Sequence, residues 1–357
     1  MKGGQGRPKR RDGRSRRANI KDVARVAGVS PATVSNVLIG RSSVAAALAE
    51  RVHNAVAELS YRTDVAASTL RRRQTSVIGL LVPDMGNPVY ATLTARIEVL
   101  ARQAGYRLII ASTAESIADE AEELRTLIGW RAAGILVVPT DPAFAARDLL
   151  IAEGIPAVVV DRVPVGLPLD CVGVDNAAAA QAAVARLVDL GHRRFLVAVS
   201  DPAIPSIRER IAGARAALRG QGGEIDVIVV GRVLGTATEI LEARLARSPA
   251  PTAVFSLTST AALATLRAAR RLALPVPAAL SLVSFDDTDW MEAVEPTVSA
   301  VRQPIGAIAE TAFARLLARL AGEQSDSSDI RLACTIEWRR STAAPGLREP
   351  ERMPARG

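Results

Sequence analysis

The chain has 357 residues, with 45 Lys and Arg against 37 Asp and Glu, a net charge of +8 and 49% hydrophobic residues. That length allows roughly two or three domains and a sizeable buried core. No apolar run is long enough to cross a bilayer, and the basic start is not followed by the apolar stretch of a signal peptide, so a cytoplasmic protein is expected. Cys171 and Cys334 are too few for a disulfide framework and sit in no metal-binding spacing, so neither a structural metal nor a cofactor is expected. The charge is uneven: the first 73 residues hold 16 Lys and Arg against 5 Asp and Glu, while the remaining 284 hold 29 against 32. A basic end of this kind is suited to DNA.

Residues 1–18, MKGGQGRPKRRDGRSRRA, are rich in Gly and Arg without apolar periodicity, which predicts a disordered basic arm adding affinity by counterion release. Residues 19–40, NIKDVARVAGVSPATVSNVLIG, have the spacing of a helix-turn-helix, with Ala24 small, Gly28 at the turn and Val34 β-branched and apolar. Asn19 is placed to cap the first helix, and Ile20, Val23, Ala24 and Ala27 share one face. Gly28 supplies the left-handed residue that ends it, and Ser30 with Pro31 starts the next. Val34, Val37 and Leu38 are predicted to bury, leaving Ala32, Thr33, Ser35 and Asn36 outward. Residues 44–59 give a third helix through Val52, Ala55, Val56 and Leu59, so that residues 19–63 make a DNA-binding domain. Residues 64–76 read as a hinge, with a helix-capable run at 65–70, three arginines at 71–73 and a polar connector.

From Val77 onward short β-rich apolar runs alternate with Ala-rich helical patterns, the signature of parallel sheets with crossover helices. SVIGLLVP, YRLIIAS, GILVVP and AVVVDR form one set of strands; RRFLVAVS, IDVIVVG, TAVFSLTS and LSLVSF form a second. The fold class is therefore α/β: a three-helix helix-turn-helix head followed by a core, residues 77–345, of two doubly wound parallel-sheet subdomains. Subdomain one is expected at about 77–173 and 301–325, subdomain two at about 174–300 and 326–345. Small ligands bind in such architectures at the carboxyl ends of the strands. The tail, 346–357, carries no leucine heptad, which favours a dimer over a coiled-coil tetramer.

The sequence resembles the lactose-repressor-type (LacI/GalR) family of bacterial transcriptional regulators. The likeness rests on IKDVARVAGVSPATVSNVL, the segment 61–70, NPVY at 87–90, VDN at 174–176, LGHRR at 190–194, RERIAG at 208–213, SFDDTDW at 284–290 and VRQP at 301–304. The resemblance implies a periplasmic-binding-protein-like core, a homodimer bound to a palindromic DNA operator, and repression under allosteric control by a small effector, with no membrane partner. It places Pro31, Ala32 and Asn36 at base-reading positions, and Thr33 and Ser35 at phosphate contacts. Asn36 suits adenine, since its amide pairs bidentately with N6 and N7. Leu70 takes the place of a leucine that the family wedges into the minor groove. Thr63, Asp64 and Ser68 depart from the common hinge pattern, shifting expected phosphate contacts to Arg71 or Arg72. Ala45 and Leu48 likewise replace hydroxyl residues at the third helix.

For the effector, the resemblance brings Arg210 and Asp286 together in the cleft, where a guanidinium fork opposite a carboxylate suits the vicinal hydroxyls of a sugar or related polyol. Tyr90 and Trp290 offer ring faces. Asp161 and Thr140 follow first-half strands and complete the expected site, with Thr258 where many relatives carry Asn. Family members of both signs exist, some releasing DNA on binding effector and others requiring it. The competing class is an enzyme, but the chain lacks HExxH, GxSxG and GxxxxGK patterns, and its three lysines all precede residue 22. A periplasmic sugar-binding protein shares the core fold and lacks the DNA head.

Overall fold

The computed structural model of the chain describes residues 18–38, 45–59, 61 and 75–346. The chain divides into two compact units, Met1–Thr75 and Ser76–Gly357. The expected arm up to residue 17, hinge residues 62–74 and the tail from 347 lie outside the described residues.

In the first unit, three helices, α1 Ile20–Ala27, α2 Pro31–Leu38 and α3 Ala46–Glu58, enclose Val23, Ala24, Ala27, Val34, Val37, Val52 and Ala55. Ile20 and Leu38 pack at the edge of this core and are only partly buried. The Asn19 side chain accepts from the backbone N–H groups of Lys21 (2.9 Å) and Asp22 (3.2 Å), and the Asp22 carboxylate accepts from the Asn19 N–H at 2.9 Å. This capping box satisfies donors that the first turn leaves free. At the other end of α1, Gly28 has φ 63°; its N–H bonds the Arg25 carbonyl and the Val29 N–H bonds the Ala24 carbonyl, a Schellman closure. Arg51 of α3 donates from Nη2 to the carbonyls of Ala27 (2.5 Å) and Gly28 (3.2 Å). The left-handed backbone is what calls for glycine here, while a Cβ at position 28 would lie 2.5 Å from that nitrogen, the movable end of a long side chain, and would displace the Arg51 bracket.

The second unit contains β1 Val77–Val82, β2 Arg107–Ser112, β3 Gly134–Val137, β4 Ala157–Val160, β5 Asp170–Val174 and β6 Arg194–Val199. Then follow β7 Glu224–Val229, β8 Ala253–Ser256, β9 Ser281–Phe285, β10 Ser299–Arg302, β11 Asp329–Leu332 and β12 Thr335–Glu337. One sheet has the order β11-β5-β4-β3-β1-β2 and the other β12-β10-β9-β8-β6-β7. Neighbours are parallel except the β10–β12 pair. Most central strands are buried along their length, as continuous apolar runs covered by helices on both faces must be.

The sequence predicts four strands per half; the structure has six. The additional strands are short, and β11 and β12 are half-exposed edges with no apolar run to announce them. They also move the predicted boundaries. Ser299–Arg302 belongs wholly to the second sheet, so the chain crosses at Gln303 and Pro304 instead of 301. Asp329–Leu332 returns to the first sheet beside β5, so that crossing falls at Ala333 and Cys334 instead of 326. The remaining crossing follows β5, since the helix Asn176–Asp189 packs in the core of the second half.

Two contacts fix this arrangement. A Cβ at Gly213 would stand 2.1 Å from the Ala177 carbonyl oxygen, so only glycine lets the helix Pro205–Ala217 lie this close to the helix Asn176–Asp189. In the first half the helix Ile305–Leu320 is clamped onto β5 by Asp170, 2% exposed, which accepts from Arg315, Arg319 and both the backbone and hydroxyl of Ser328. Elsewhere His192 is a structural residue: its Nε2 donates to the Ala343 carbonyl at 2.8 Å, its Nδ1 faces Thr252 Oγ1, and burial lowers its pKa.

Burial pushes the Asp170 carboxyl up, but hydrogen bonds from Arg319, Ser328 and Arg315 outweigh it and hold the pKa well below the usual range. Asp170→Asn should lower stability at pH 7 by roughly 2–4 kcal/mol, less than a fully buried orphaned charge because Arg315 and Arg319 keep 22% and 18% exposure. Because the folded pKa is depressed, the contribution is complete above about pH 5 and fades as pH falls below the unfolded value near about 3.9. Denaturant midpoints of wild type and variant should therefore converge on acidification; a gap that stays constant down to the acid limit contradicts the clamp.

Candidate functional site

On the first unit, Pro31 and Ala32 are exposed at the start of α2, while Thr33, Ser35 and Asn36 are half-buried on the following turn. The Ser30 hydroxyl accepts from the Thr33 N–H at 3.1 Å and lies 2.9 Å from the Thr33 hydroxyl. Those bonds fix the entry into α2 and leave the Asn36 amide without a side-chain hydrogen-bond partner among the described residues. Ala45 gives α3 no side-chain cap. The Arg51 bracket on α1 is a residue the sequence does not signal. Leu70, Arg71 and Arg72 lie outside the described residues.

Within the second unit a cavity of about 200 Å³ opens between the two sheets. Its lining comes from loops that leave the carboxyl ends of strands: Asp84 after β1, Glu115 after β2, Asp161 and Arg162 after β4, Ser200 after β6, Arg232 after β7, Thr258 after β8 and Asp286 after β9. Tyr90, Arg210 and Gln303 reach in from helices and from a crossing. Five expected residues, Tyr90, Asp161, Arg210, Thr258 and Asp286, thus meet in one place. Thr140 and Trp290 do not. The Thr140 hydroxyl faces Thr113 Oγ1 at 2.5 Å and its N–H goes to Glu120; Trp290 packs half-buried against the cluster around Met291 and Val298.

The polar wiring is dense. Tyr90 Oη donates to Asp161 Oδ2 at 3.0 Å and accepts from Arg162 Nε at 3.0 Å. Arg162 then forks onto Glu115 at 2.8 and 2.6 Å. Burial raises the Tyr90 phenol far above its ordinary value, which keeps it a neutral donor. On the other side Arg210, 4% exposed, donates from Nε to Asn176 Oδ1 (2.8 Å) and from Nη1 to the Leu257 carbonyl (3.0 Å), and stacks 3.6 Å above the Phe285 ring. Asp286 Oδ1 accepts from Gln303 Nε2 at 2.5 Å. Burial pushes the Asp286 carboxyl up, with Arg210 and Gln303 opposing. Two buried acceptors in the lining, Asp161 Oδ1 and Gln303 Oε1, have no hydrogen-bond partner among the described residues. Glu115, Arg162 and Arg232 are unforeseen members of the site. Arg232 directly follows a predicted strand, Arg162 ends one beside Asp161, and Glu115 lies three residues beyond one, so nearness to strand ends is the signal they share with Asp161.

Comparison with known proteins matches the description "Bacterial regulatory proteins, lacI family" to residues 19–64 and "Periplasmic binding protein-like domain" to residues 184–342. The chain is 34% identical over 336 residues to the HTH-type transcriptional regulator PtxS of Pseudomonas plecoglossicida, covering 91% of this chain and 96% of that one. A structure described as the transcriptional regulator CelR–cellobiose complex superposes with TM-score 0.69 at 28% identity, covering 91% of this chain and all of the other. The lac repressor dimer bound to operator and the anti-inducer ONPF has the same fold, with TM-score 0.84 at 24% identity over 92% of this chain and 100% of that one.

The geometry makes Tyr90 the link between Asp161 and Arg162. Tyr90→Phe keeps the ring and removes both bonds, leaving Asp161 Oδ2 without the phenol donor, so the chain should lose about 1–3 kcal/mol in chemical denaturation. An unchanged midpoint would show that the hydroxyl contributes nothing.

Proposed function

The chain belongs to the lacI family of bacterial regulatory proteins, DNA-binding transcriptional regulators and not enzymes, and on that premise we propose that it is a cytoplasmic repressor, working on the nucleoid, that binds a palindromic operator as a homodimer and answers to a small sugar-like polyol in its cleft. On DNA, α2 lies in the major groove, with Asn36 reading a base, Pro31 and Ala32 giving apolar contact, and Thr33 and Ser35 touching phosphates. Leu70 wedges into the minor groove, and Arg71, Arg72 and the basic arm add counterion-release affinity.

A second copy of the chain has an apolar strip to cover. The edge strands β2 and β7 and the residues just after them expose Ile110 (41%), Ile117 (56%), Val229 (51%) and Val233 (67%). Exposed apolar edges of this kind are a liability unless another chain packs on them.

The observation that carries the effector reading is the pair of orphaned acceptors, Asp161 Oδ1 and Gln303 Oε1, beside the Arg210 donors and the Asp286 carboxylate. Unpaired buried acceptors are costly, and a ligand rich in hydroxyl donors satisfies them. The ligand's differential affinity for two arrangements of the halves then shifts operator affinity, typically by about 1–3 kcal/mol.

Two experiments test the two ends. Asn36→Ala should cost about 1–3 kcal/mol on operator and relax preference at one base pair per half-site. Equal losses on every single-base operator variant would remove Asn36 as a base reader. For the cleft, a panel of neutral sugars and polyols is screened for a rise in melting temperature of the full chain. Arg210→Ala and Asp286→Asn should abolish the effect of the best stabiliser on operator binding while leaving binding in its absence within a few-fold. Variants that fold, bind operator and still respond at the wild-type concentration would contradict the site.

A further inference from the structure

Among the described residues, two ion pairs join the halves of the core. One, Arg331 to Glu209 at 3.4 Å, lies on β11 beside the crossing at Ala333 and Cys334. The other, Arg232 Nε to Glu115 Oε1 at 3.2 Å, is at the far side of the molecule's cleft. Glu115 follows β2 and Arg232 follows β7, the edge strands opposite β11 and β12 in their sheets. A contact there acts at the greatest distance from the crossings about which the halves turn, so it has the most leverage on their angle.

The two partners are built differently. Glu115 is a fixed post. Ala114 and Glu115 hold consecutive left-handed conformations, φ 49° and 64°, and the Glu115 N–H bonds the Pro83 carbonyl at 2.7 Å. Arg162 grips both Glu115 oxygens and is itself held by the Tyr90 hydroxyl and the Tyr90 ring, 5.6 Å from the guanidinium. The Glu115 side chain is 12% exposed, whereas that of Arg232 is 39% exposed. Arg232 has a second acidic neighbour on its own half, Asp201 at 3.9 Å. It therefore stands between a carboxylate across the mouth and one beside it, and opening the cleft exchanges the first for the second without stranding its charge.

We propose that Glu115 and Arg232 are positioning residues that hold the mouth of the cleft closed through an ion pair across it, so that the charge at Arg232 and the salt concentration set how far the unliganded cleft opens. The proposal concerns the unliganded chain and does not rest on the identity of the effector.

Hydrogen–deuterium exchange of the full-length chain without ligand tests it. The readouts are segments 86–89 and 258–260, which line opposite sides of the cleft and, among the described residues, make no hydrogen bond or ion pair with Glu115 or Arg232. Arg232→Gln should speed exchange in both segments by about two- to fivefold, the range expected for losing a partly exposed ion pair. Raising salt from about 0.1 M to about 1 M, where the Debye length falls from roughly 10 Å to roughly 3 Å, should move wild type toward the variant and leave the variant nearly unchanged. Arg232→Lys, which keeps the charge, should restore protection at the lower salt. Unchanged exchange in Arg232→Gln overturns the proposal, as does faster exchange confined to residues 112–116 and 230–233, which marks local fraying. A lysine variant indistinguishable from the glutamine one overturns its electrostatic basis.

Discussion

Arg210 is buried to 4% exposure in an α/β core, and a guanidinium taken that far out of water must find acceptors for its donors. How the chain meets that demand shapes the rest of the core. The nearest acceptor is Asn176, the first residue of the helix that follows the β5 crossing, and it is reached only because Gly213 lets two helices nearly touch. Asn176 in turn donates to the Val174 carbonyl (3.3 Å) and to Glu209 (2.8 Å), the acid that also pairs with Arg331 of the first sheet. A ligand that draws on the free face of Arg210 therefore pulls on a residue embedded in a crossing between the halves.

The same logic repeats on the other side. Asp286 is held by Gln303, which sits in the second crossing. The two halves also place acids at matching points: Asp161 follows β4 and Asp286 follows β9, the third strand from the crossing edge in each sheet, and both take left-handed backbones, φ 64° and 75°. A non-glycine residue with such a φ is strained, and it persists only where surrounding bonds fix it. The symmetry ends at the next residue. Arg162 turns back to Tyr90 and Glu115, whereas Asp287 faces outward into a network with Arg302 and Arg339. In the cleft the second half instead supplies Arg210 and Arg232 from elsewhere in its fold, and Arg210 is the cation whose charge opposes the effect of burial on Asp286.

The head and the strands were legible in the sequence for physical reasons. Asn19, Gly28 and Ser30 with Pro31 act within one or two turns of themselves, so local geometry fixes their role. The eight strands announce themselves by apolar runs, which a buried parallel strand needs and which the edge strands β2 and β7 also carry. Five of the seven expected cleft residues line the cavity: Asp161, Thr258 and Asp286 follow strand ends, where this architecture opens, while Tyr90 and Arg210 reach in from helices and were placed by the family resemblance alone. That rule fails for Thr140, whose hydroxyl and N–H are drawn to Thr113 and Glu120, contacts set 27 and 20 residues away in the chain. Trp290 fails because an amphipathic aromatic fits the half-buried rim of an apolar cluster as well as a ligand. Strands β11 and β12 were illegible because they are only 4 and 3 residues long and carry no apolar run, unlike the longer edge strands β2 and β7, and their pairing partners lie far off in sequence. The Glu115–Arg162–Arg232 chain is a long-range property of three loops, and no spacing encodes it.

The proposed control requires that a ligand held between the halves change how the head holds DNA. Fluorescence anisotropy of a labelled operator, titrated with the full-length chain with and without the polyol that most raises its melting temperature, tests this directly. A shift in operator affinity of at least about fivefold, the lower end of typical allosteric coupling, is predicted. A ligand that saturates the cleft and stabilises the fold yet leaves operator affinity unchanged would contradict it.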